Sequence, residues 1–199
     1  MIPSMTGAAT HQALETIGRD WRGDGVAVEC GSWLGASAVA LLTGLTAAGY
    51  DRPFYAFDRW SANRSQVEKA RAAGVRITVG QDLRPLFFAH VEPVYGNIIA
   101  TSCELSRMEW NGPEVEILVL DAAKRGQAFE NVMAQFGGWL VDRATVALLD
   151  YHYWRKLPIA IANSFRNQER WVQARADRFT WEWDIPGEAG AVFRYRRVA

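Results

Sequence analysis

Cysteine is scarce in this chain. Cys30 and Cys103 are the only two in 199 residues, and no Cys-x-x-Cys pair exists. That excludes a disulfide framework or a thiolate metal knuckle and reads as two buried thiols in a reducing compartment. Long apolar runs are missing too. None reaches the roughly 18 residues that a membrane helix needs, and the N-terminus carries no secretory leader pattern, so cytoplasm is the expected compartment. There is no excess of charge of either sign, with 22 acids against 22 bases. A nucleic-acid footprint is therefore not expected. The short basic stretch Arg194-Tyr195-Arg196-Arg197 reads as a solvated edge strand. Two familiar phosphate signatures are also absent: no Gly-x-Gly-x-x-Gly and no Gly-Lys-Ser/Thr loop occurs.

What the chain has is a globular composition, 49% hydrophobic with nine tryptophans. Residues 1–199 are expected to form one domain with a sizeable core, residues 1–20 being an N-terminal segment and helix. The nine tryptophans fit a homodimer interface and a packed core equally. Its clearest signal is Val26-Ala27-Val28-Glu29-Cys30-Gly31-Ser32-Trp33-Leu34-Gly35-Ala36-Ser37. An apolar run ends in an acid, a Gly-x-x-x-Gly turn follows, and an Ala/Leu-rich helix is expected over 36–48. A buried strand, a tight turn and a helix N-terminus in that order form a ligand-binding corner in α/β folds. Gly31 permits the sharp turn, and Gly35 permits close packing of helix against strand. A carboxylate at Glu29 suits a ligand bearing an ammonium or hydroxyls rather than a run of phosphates.

Further strands are expected at 53–57, 93–99, 115–120 and 145–149, with helices at 11–19, 66–73, 82–90, 127–136 and, mostly helical, 157–176. A closing hairpin is expected from 179–184 and 191–197. Apolar strands alternating with helices imply a doubly wound, mostly parallel sheet in a three-layer α/β/α sandwich, here finished by an antiparallel hairpin. Four of the strands end in an acid: Glu29, Asp58, Asp121 and Asp150. Ligands in such sheets bind off the carboxyl ends of the strands. Four acids at that edge read as a site; singly, each reads as a helix cap or turn residue.

The pattern Glu29-x-Gly31-x-x-x-Gly35-x-Ser37 resembles motif I of the class I S-adenosylmethionine-dependent methyltransferases, in particular the small O-methyltransferases, from about Val26 to the C-terminus. The resemblance implies a Rossmann-like methyltransferase fold and S-adenosylmethionine as cofactor. It assigns Glu29 and the turn Gly31, Ser32, Trp33, Leu34 and Gly35, with Ser37, to the methionine part. Asp58, with Arg59 beside it, would take the ribose hydroxyls. Gly96 and Asn97 fall where the adenine-side loop follows strand three. Leu120-Asp121-Ala122-Ala123-Lys124 resembles the Asp-Ala-Asp-Lys of cation-dependent catechol-type enzymes, and Leu149-Asp150-Tyr151 their Asp-Asn pair. The resemblance thus makes Asp121 and Asp150 ligands of Mg²⁺ or another divalent cation, puts Asp121 beside the cofactor, and makes Lys124 the catalytic base, with Asp150 on the acceptor side. A hard cation with oxygen ligands lowers the pKa of a bound hydroxyl, and a lysine beside it can take the proton.

Two departures stand out: Ala123 replaces the second Asp, and Tyr151 replaces the Asn. His152 is the alternative base or third ligand, and the aromatic loop around it reads equally as packing. Trp60, Phe87, Phe88, Tyr151, Tyr153 and Trp154 are candidates for an acceptor pocket or for core. The stretch from Glu109-Trp110-Asn111-Gly112-Pro113 to Asp150-Tyr151-His152 resembles a bacterial subgroup associated with glycan or natural-product biosynthesis. A small-molecule or sugar acceptor is implied. Two other classes stay open: a non-catalytic module that binds the cofactor, and a nicotinamide-dependent oxidoreductase in which Asp58 binds ribose.

Overall fold

A computed structural model describes residues 2–122 and 126–198. Its elements run α1 Ala8–Arg19, β1 Val26–Cys30, α2 Ala36–Ala47, β2 Phe54–Asp58, α3 Arg64–Ala72, α4 Arg84–Val91, β3 Ile98–Ser102, β4 Val115–Leu120, α5 Gly126–Phe136, β5 Leu140–Leu148, α6 Ile159–Ala162, α7 Asn167–Gln173, β6 Phe179–Asp184 and β7 Ala191–Tyr195. The strands form one seven-stranded sheet in the order β3-β2-β1-β4-β5-β7-β6. Every pairing is parallel except those of β7, which runs antiparallel to both β5 and β6.

The two faces of the sheet are read directly from β1. Val26, Val28 and Cys30 point into a core shared with Phe129, Val132, Met133 and Phe136 of α5 and Val172 of α7. Ala27 points into the opposite core, with Leu14 and Ile17 of α1, Leu41 and Leu45 of α2, and Phe87 and Val91 of α4. Both faces are covered, so β1 and β4 are buried at every position, which is why they read as unbroken apolar runs. At the amino end of β1, the buried Glu116 carboxylate accepts from the backbone N–H groups of Arg22 (2.6 Å), Asp24 (2.7 Å) and Gly25 (3.1 Å). Among the described residues no helix is long and apolar enough to cross a membrane.

The structure corrects three expected elements. Strand three is Ile98–Ser102 rather than 93–99, because Val94 and Tyr95 fold back on the end of α4, both donating to the Val91 carbonyl. The expected helix over 157–176 is a broken string: a 3-10 turn at Tyr153–Lys156, the four-residue α6 and the separate α7. Pro158 precedes α6, and α6 has no buried residue, so no core contact carries the helix on. The Arg194–Arg197 stretch is not at a sheet edge. Its strand β7 lies between β5 and β6, and Arg194 bonds the Thr145 hydroxyl (2.8 Å) and Glu182 (3.2 Å).

Candidate active site

The sheet order reverses between β1 and β4, β1 leading outward to β2 and β3 while β4 and β5 continue on the other side. Ligands of open α/β sheets sit at such a switch point, off the carboxyl ends of the strands. Here those ends lie level, with Cys30 paired to both Phe57 and Leu120, and Leu120 to Leu148. Glu29, Asp58, Asp121 and Asp150 are therefore brought to one edge. A cavity of about 390 Å³ opens there, lined by Asp58, Asp121 and Asp150, by Gly31, Ser32 and Trp33 of the first turn, and by Ser37 of α2.

The turn after β1 is shaped by two glycines. Gly31 has φ 102°, and a Cβ on it would lie 2.5 Å from the Cβ of Ala122, so the first and fourth loops touch through it. Gly35, at φ 90°, is the N-cap of α2. A Cβ there would meet Val91 and Phe87 at 2.9 and 3.1 Å, so its smallness serves packing against α4, not against the strand. His90 of α4 braces the same turn, its Nδ1–H donating to the Leu34 carbonyl at 2.7 Å. Leu34 itself is fully buried and supplies only this backbone contact and core packing.

Glu29 lies beneath the turn, fully buried, and neither carboxylate oxygen closes a hydrogen bond. Burial pushes its carboxyl up to about 7, with the Asp58 charge adding to the rise, while the nearby Ser32 and Ser37 hydroxyls partly offset it without reaching normal hydrogen-bond geometry. The Ser32 hydroxyl and the Trp33 indole N–H are likewise buried without partners. Buried polar atoms are nearly always satisfied. Four orphaned atoms on Glu29, Ser32 and Trp33, the last two of which line the cavity, mark a place for a ligand that carries both donors and acceptors.

Asp58 is held by a latch of two tryptophans. Its Oδ2 accepts from the Trp33 backbone N–H (2.9 Å) and its Oδ1 from that of Trp60 (2.8 Å), and the Trp60 indole donates to the Trp33 carbonyl (3.0 Å). Both tryptophans adopt left-handed backbone, at φ 43° and 44°. Each oxygen keeps a lone pair, so the fixed carboxylate can still accept two bonds from a vicinal diol. Asp58 also lines a second cavity of about 320 Å³, with Arg59 and the Cys103–Ser106 loop that follows β3. Arg59 pairs with Glu104 at 3.6 Å.

Other expected site residues are placed differently. Gly96 and Asn97 precede β3, and the Asn97 carbonyl accepts from Phe54 at the start of β2. They are at the amino edge of the sheet, away from the cavity, and the loop at the carboxyl end of β3 is Cys103–Ser106 instead. His152 is turned away: its Nε2 meets Asp184 Oδ1 at 2.9 Å, and it lines a separate recess with Trp181 and Phe193. It is neither beside Asp121 nor placed to be the base. Tyr151 packs edge-on against His152 and Phe193, and burial pushes its hydroxyl up to about 12. Trp60 and Phe87 are core; of the six candidate aromatics only Tyr153 reaches the cavity wall. Lys124 lies outside the described residues.

Asp121 and Asp150 share the cavity, but the described residues hold no group of three His, Cys, Asp or Glu side chains that could bind a metal ion. The undescribed Ala123, Lys124 and Arg125 bring no carboxylate to that loop. Two carboxylates are a thin donor set for Mg²⁺. Residues unforeseen from sequence complete the wall: Ser4, Met5, Thr6 and Thr10 from the N-terminus, Ser65, Gln66 and Lys69 of α3, Lys156, and Glu188 and Ala189 of the β6–β7 turn. Only the fold brings these distant segments together.

Three solved structures show the same architecture across almost the whole chain. The O-methyltransferase NovP matches with a TM-score of 0.70 at 14% identity, over 98% of this chain and 83% of that one. The fold is that of the class I methyltransferases. CalS11, a TDP-rhamnose 3'-O-methyltransferase of calicheamicin biosynthesis, matches with a TM-score of 0.61 at 15% identity, over 93% and 76% of the two chains. The Podospora anserina methyltransferase PaMTH1, solved with SAH bound, matches with a TM-score of 0.57 at 15% identity, over 97% and 80%. No family model matches the sequence, and no curated protein matches it. Within the class I methyltransferase fold, the reversed β7 beside β5 is the expected antiparallel finish.

Proposed function

We propose that this protein is an S-adenosylmethionine-dependent methyltransferase acting on a hydroxyl oxygen of a small molecule or sugar. One observation carries the reading: the orphaned Glu29 carboxylate lies buried under the β1 turn, and the orphaned Ser32 hydroxyl and Trp33 indole N–H belong to residues that line the cavity together with Asp58. An amino-acid zwitterion needs an acceptor for its ammonium and donors for its carboxylate, and a ribose needs a fixed carboxylate. The residues present fit both. The second cavity, across Asp58, gives room for the base of the same nucleoside. The SAH bound to PaMTH1 supports this choice of ligand.

Bound there, S-adenosylmethionine supplies a methyl group on a positively charged sulfur. The chain's task is to hold an acceptor oxygen in line with that methyl, which accounts for most of the rate in such a displacement. The acceptor oxygen forms a bond to the methyl carbon as the carbon–sulfur bond breaks, leaving a neutral thioether. The hydroxyl proton passes to a base. Asp150, 8% exposed on the cavity wall, is one candidate; Lys124, implied by the family resemblance, is the other. Removal of the base is expected to cut turnover about 10²- to 10⁴-fold. Asp150→Asn and Lys124→Ala, compared for turnover and for SAH affinity, identify it as the residue whose loss cuts turnover alone.

Calorimetric titration with SAH, S-adenosylmethionine and NADH tests the reading. Tight binding of the first two and none of NADH is expected, unchanged by EDTA because no cofactor contact runs through Asp121 and Asp150 as a metal pair. Binding of NADH instead makes the protein an oxidoreductase. A second reading, a module that binds the cofactor without transferring the methyl, draws on the thin metal donor set and the turned-away His152; SAH binding with no methylation of any hydroxylated acceptor would establish it.

A further inference from the structure

Only three of the 22 basic residues are lysine: Lys69, Lys124 and Lys156. Lys69 and Lys156 both line the cavity at the carboxyl edge of the sheet, and Lys124 follows two residues after the lining residue Ala122. Every ion pair to an Asp or Glu that involves a described basic side chain, apart from His152 with Asp184, uses arginine: Arg22 with Asp24, Arg84 with Asp82 and Arg194 with Glu182 are examples. Among the described residues the side chains of Lys69 and Lys156 make neither an ion pair nor a hydrogen bond, although Asp58, Asp121, Asp150 and Glu188 share their cavity. Among the described residues structural pairing is thus done by arginine, and both described lysines are kept for one place.

The chemistry of that choice is specific. An ammonium is a compact point charge on a flexible stem with three donors, able to follow an oxyanion as it enters, whereas guanidinium prefers a planar, fixed partner. The two lysines come from elements that follow β2 and β5, strands on either side of the β1–β4 pair, and both line the one cavity. The methionine carboxylate of the cofactor already has donors under the β1 turn. We propose that Lys69 and Lys156 hold an oxyanion carried by the acceptor, so that the substrate is a hydroxylated molecule bearing a phosphate or carboxylate. This rests on the methyltransferase reading for the identity of the cavity, not for the anion site itself.

The test uses the full chain, with inorganic pyrophosphate and benzoate as separate calorimetric probes, each titrated with and without SAH. One or both oxyanions should bind, more weakly as salt is raised, and the stronger of the two names the acceptor's group. The K69M/K156M double variant should lose about ten- to a hundredfold of that affinity while SAH affinity stays unchanged. K69R/K156R should restore part of it, and Arg71→Met, an exposed position on α3, should change nothing. Absence of oxyanion binding to the wild type overturns the proposal. So does an equal loss of SAH affinity in K69M/K156M, which would assign the lysines to the cofactor. If SAH fails to bind while an oxyanion does, the methyltransferase reading falls and the anion site stands. Circular dichroism of each variant separates these outcomes from unfolding.

Discussion

Glu29 is the residue whose physics is most exposed to experiment. It sits fully buried with its carboxyl pushed up to about 7 from 4.5. A raised acid binds a proton more tightly folded than unfolded, so its contribution to stability is intact below pH 4.5 and is lost as pH climbs to about 7. The shift corresponds to about 3 kcal/mol. Glu29→Gln should therefore show a flatter stability-against-pH curve than the wild type across that window, by about this amount in urea denaturation. Binding an ammonium beside the carboxylate reverses the effect by favouring the charged form. At pH 6, SAH binding should thus release close to one proton, measurable as a dependence of calorimetric heat on buffer ionisation enthalpy. If the heat is independent of buffer, Glu29 does not meet the ammonium. Gly31→Ala, which puts a methyl 2.5 Å from Ala122 at φ 102°, should separate the first and fourth loops and abolish SAH binding, read in the same titration.

Between elements, the Asp58 latch ties the turn after β1 to the turn after β2. Trp60→Phe removes the indole N–H that bonds the Trp33 carbonyl and leaves part of the buried indole's volume unfilled. A loss of about 1–3 kcal/mol of stability is expected from the lost bond and the cavity together, with a fall in SAH affinity because the two turns that hold Asp58 are no longer tied by the indole; unchanged affinity would make the latch purely structural. How well each element could be read from sequence follows burial. β1 and β4 are covered on both faces and show as continuous apolar runs whose ends were located to within a residue. β3 is a sheet edge with no fully buried residue, so its pattern is weak, and the apolar Val94 and Tyr95 beside it drew the assignment toward the wrong end of the sheet. Gly96 and Asn97 were misplaced for that reason. His152 was drawn to the cavity by its closeness in sequence to Asp150; its partner Asp184 is 32 positions away and only the hairpin brings it near.

Across the whole molecule, the order β3-β2-β1-β4-β5-β7-β6 makes the carboxyl edge of β1 and β4 the working edge and leaves the opposite edge to hold the sheet together. Glu116 belongs to that opposite edge. Glu116→Ala strips the acceptor from three backbone N–H groups and should lower unfolding free energy by about 3 kcal/mol without altering SAH affinity in the protein that remains folded. Loss of affinity at full stability would mean that the two edges are coupled. The four strand-end acids announced the working edge in the sequence, but its walls did not announce themselves. Ser4, Thr6, Lys69 and Glu188 come from segments with no shared pattern, and only the closed fold makes them neighbours.

The first few residues of the chain have a consequence for kinetics. Ser4, Met5 and Thr6 form part of the cavity wall, and the described hydrogen bonds of this stretch to the rest of the chain run from Ser4 and Thr6 to His11 (3.0 and 3.3 Å). On the proposed methyltransferase reading, exchange of a ligand past this strip works against these two contacts together with the packing of Ile2 on the core and the burial of Pro3, not against the hydroxyl–imidazole contacts alone.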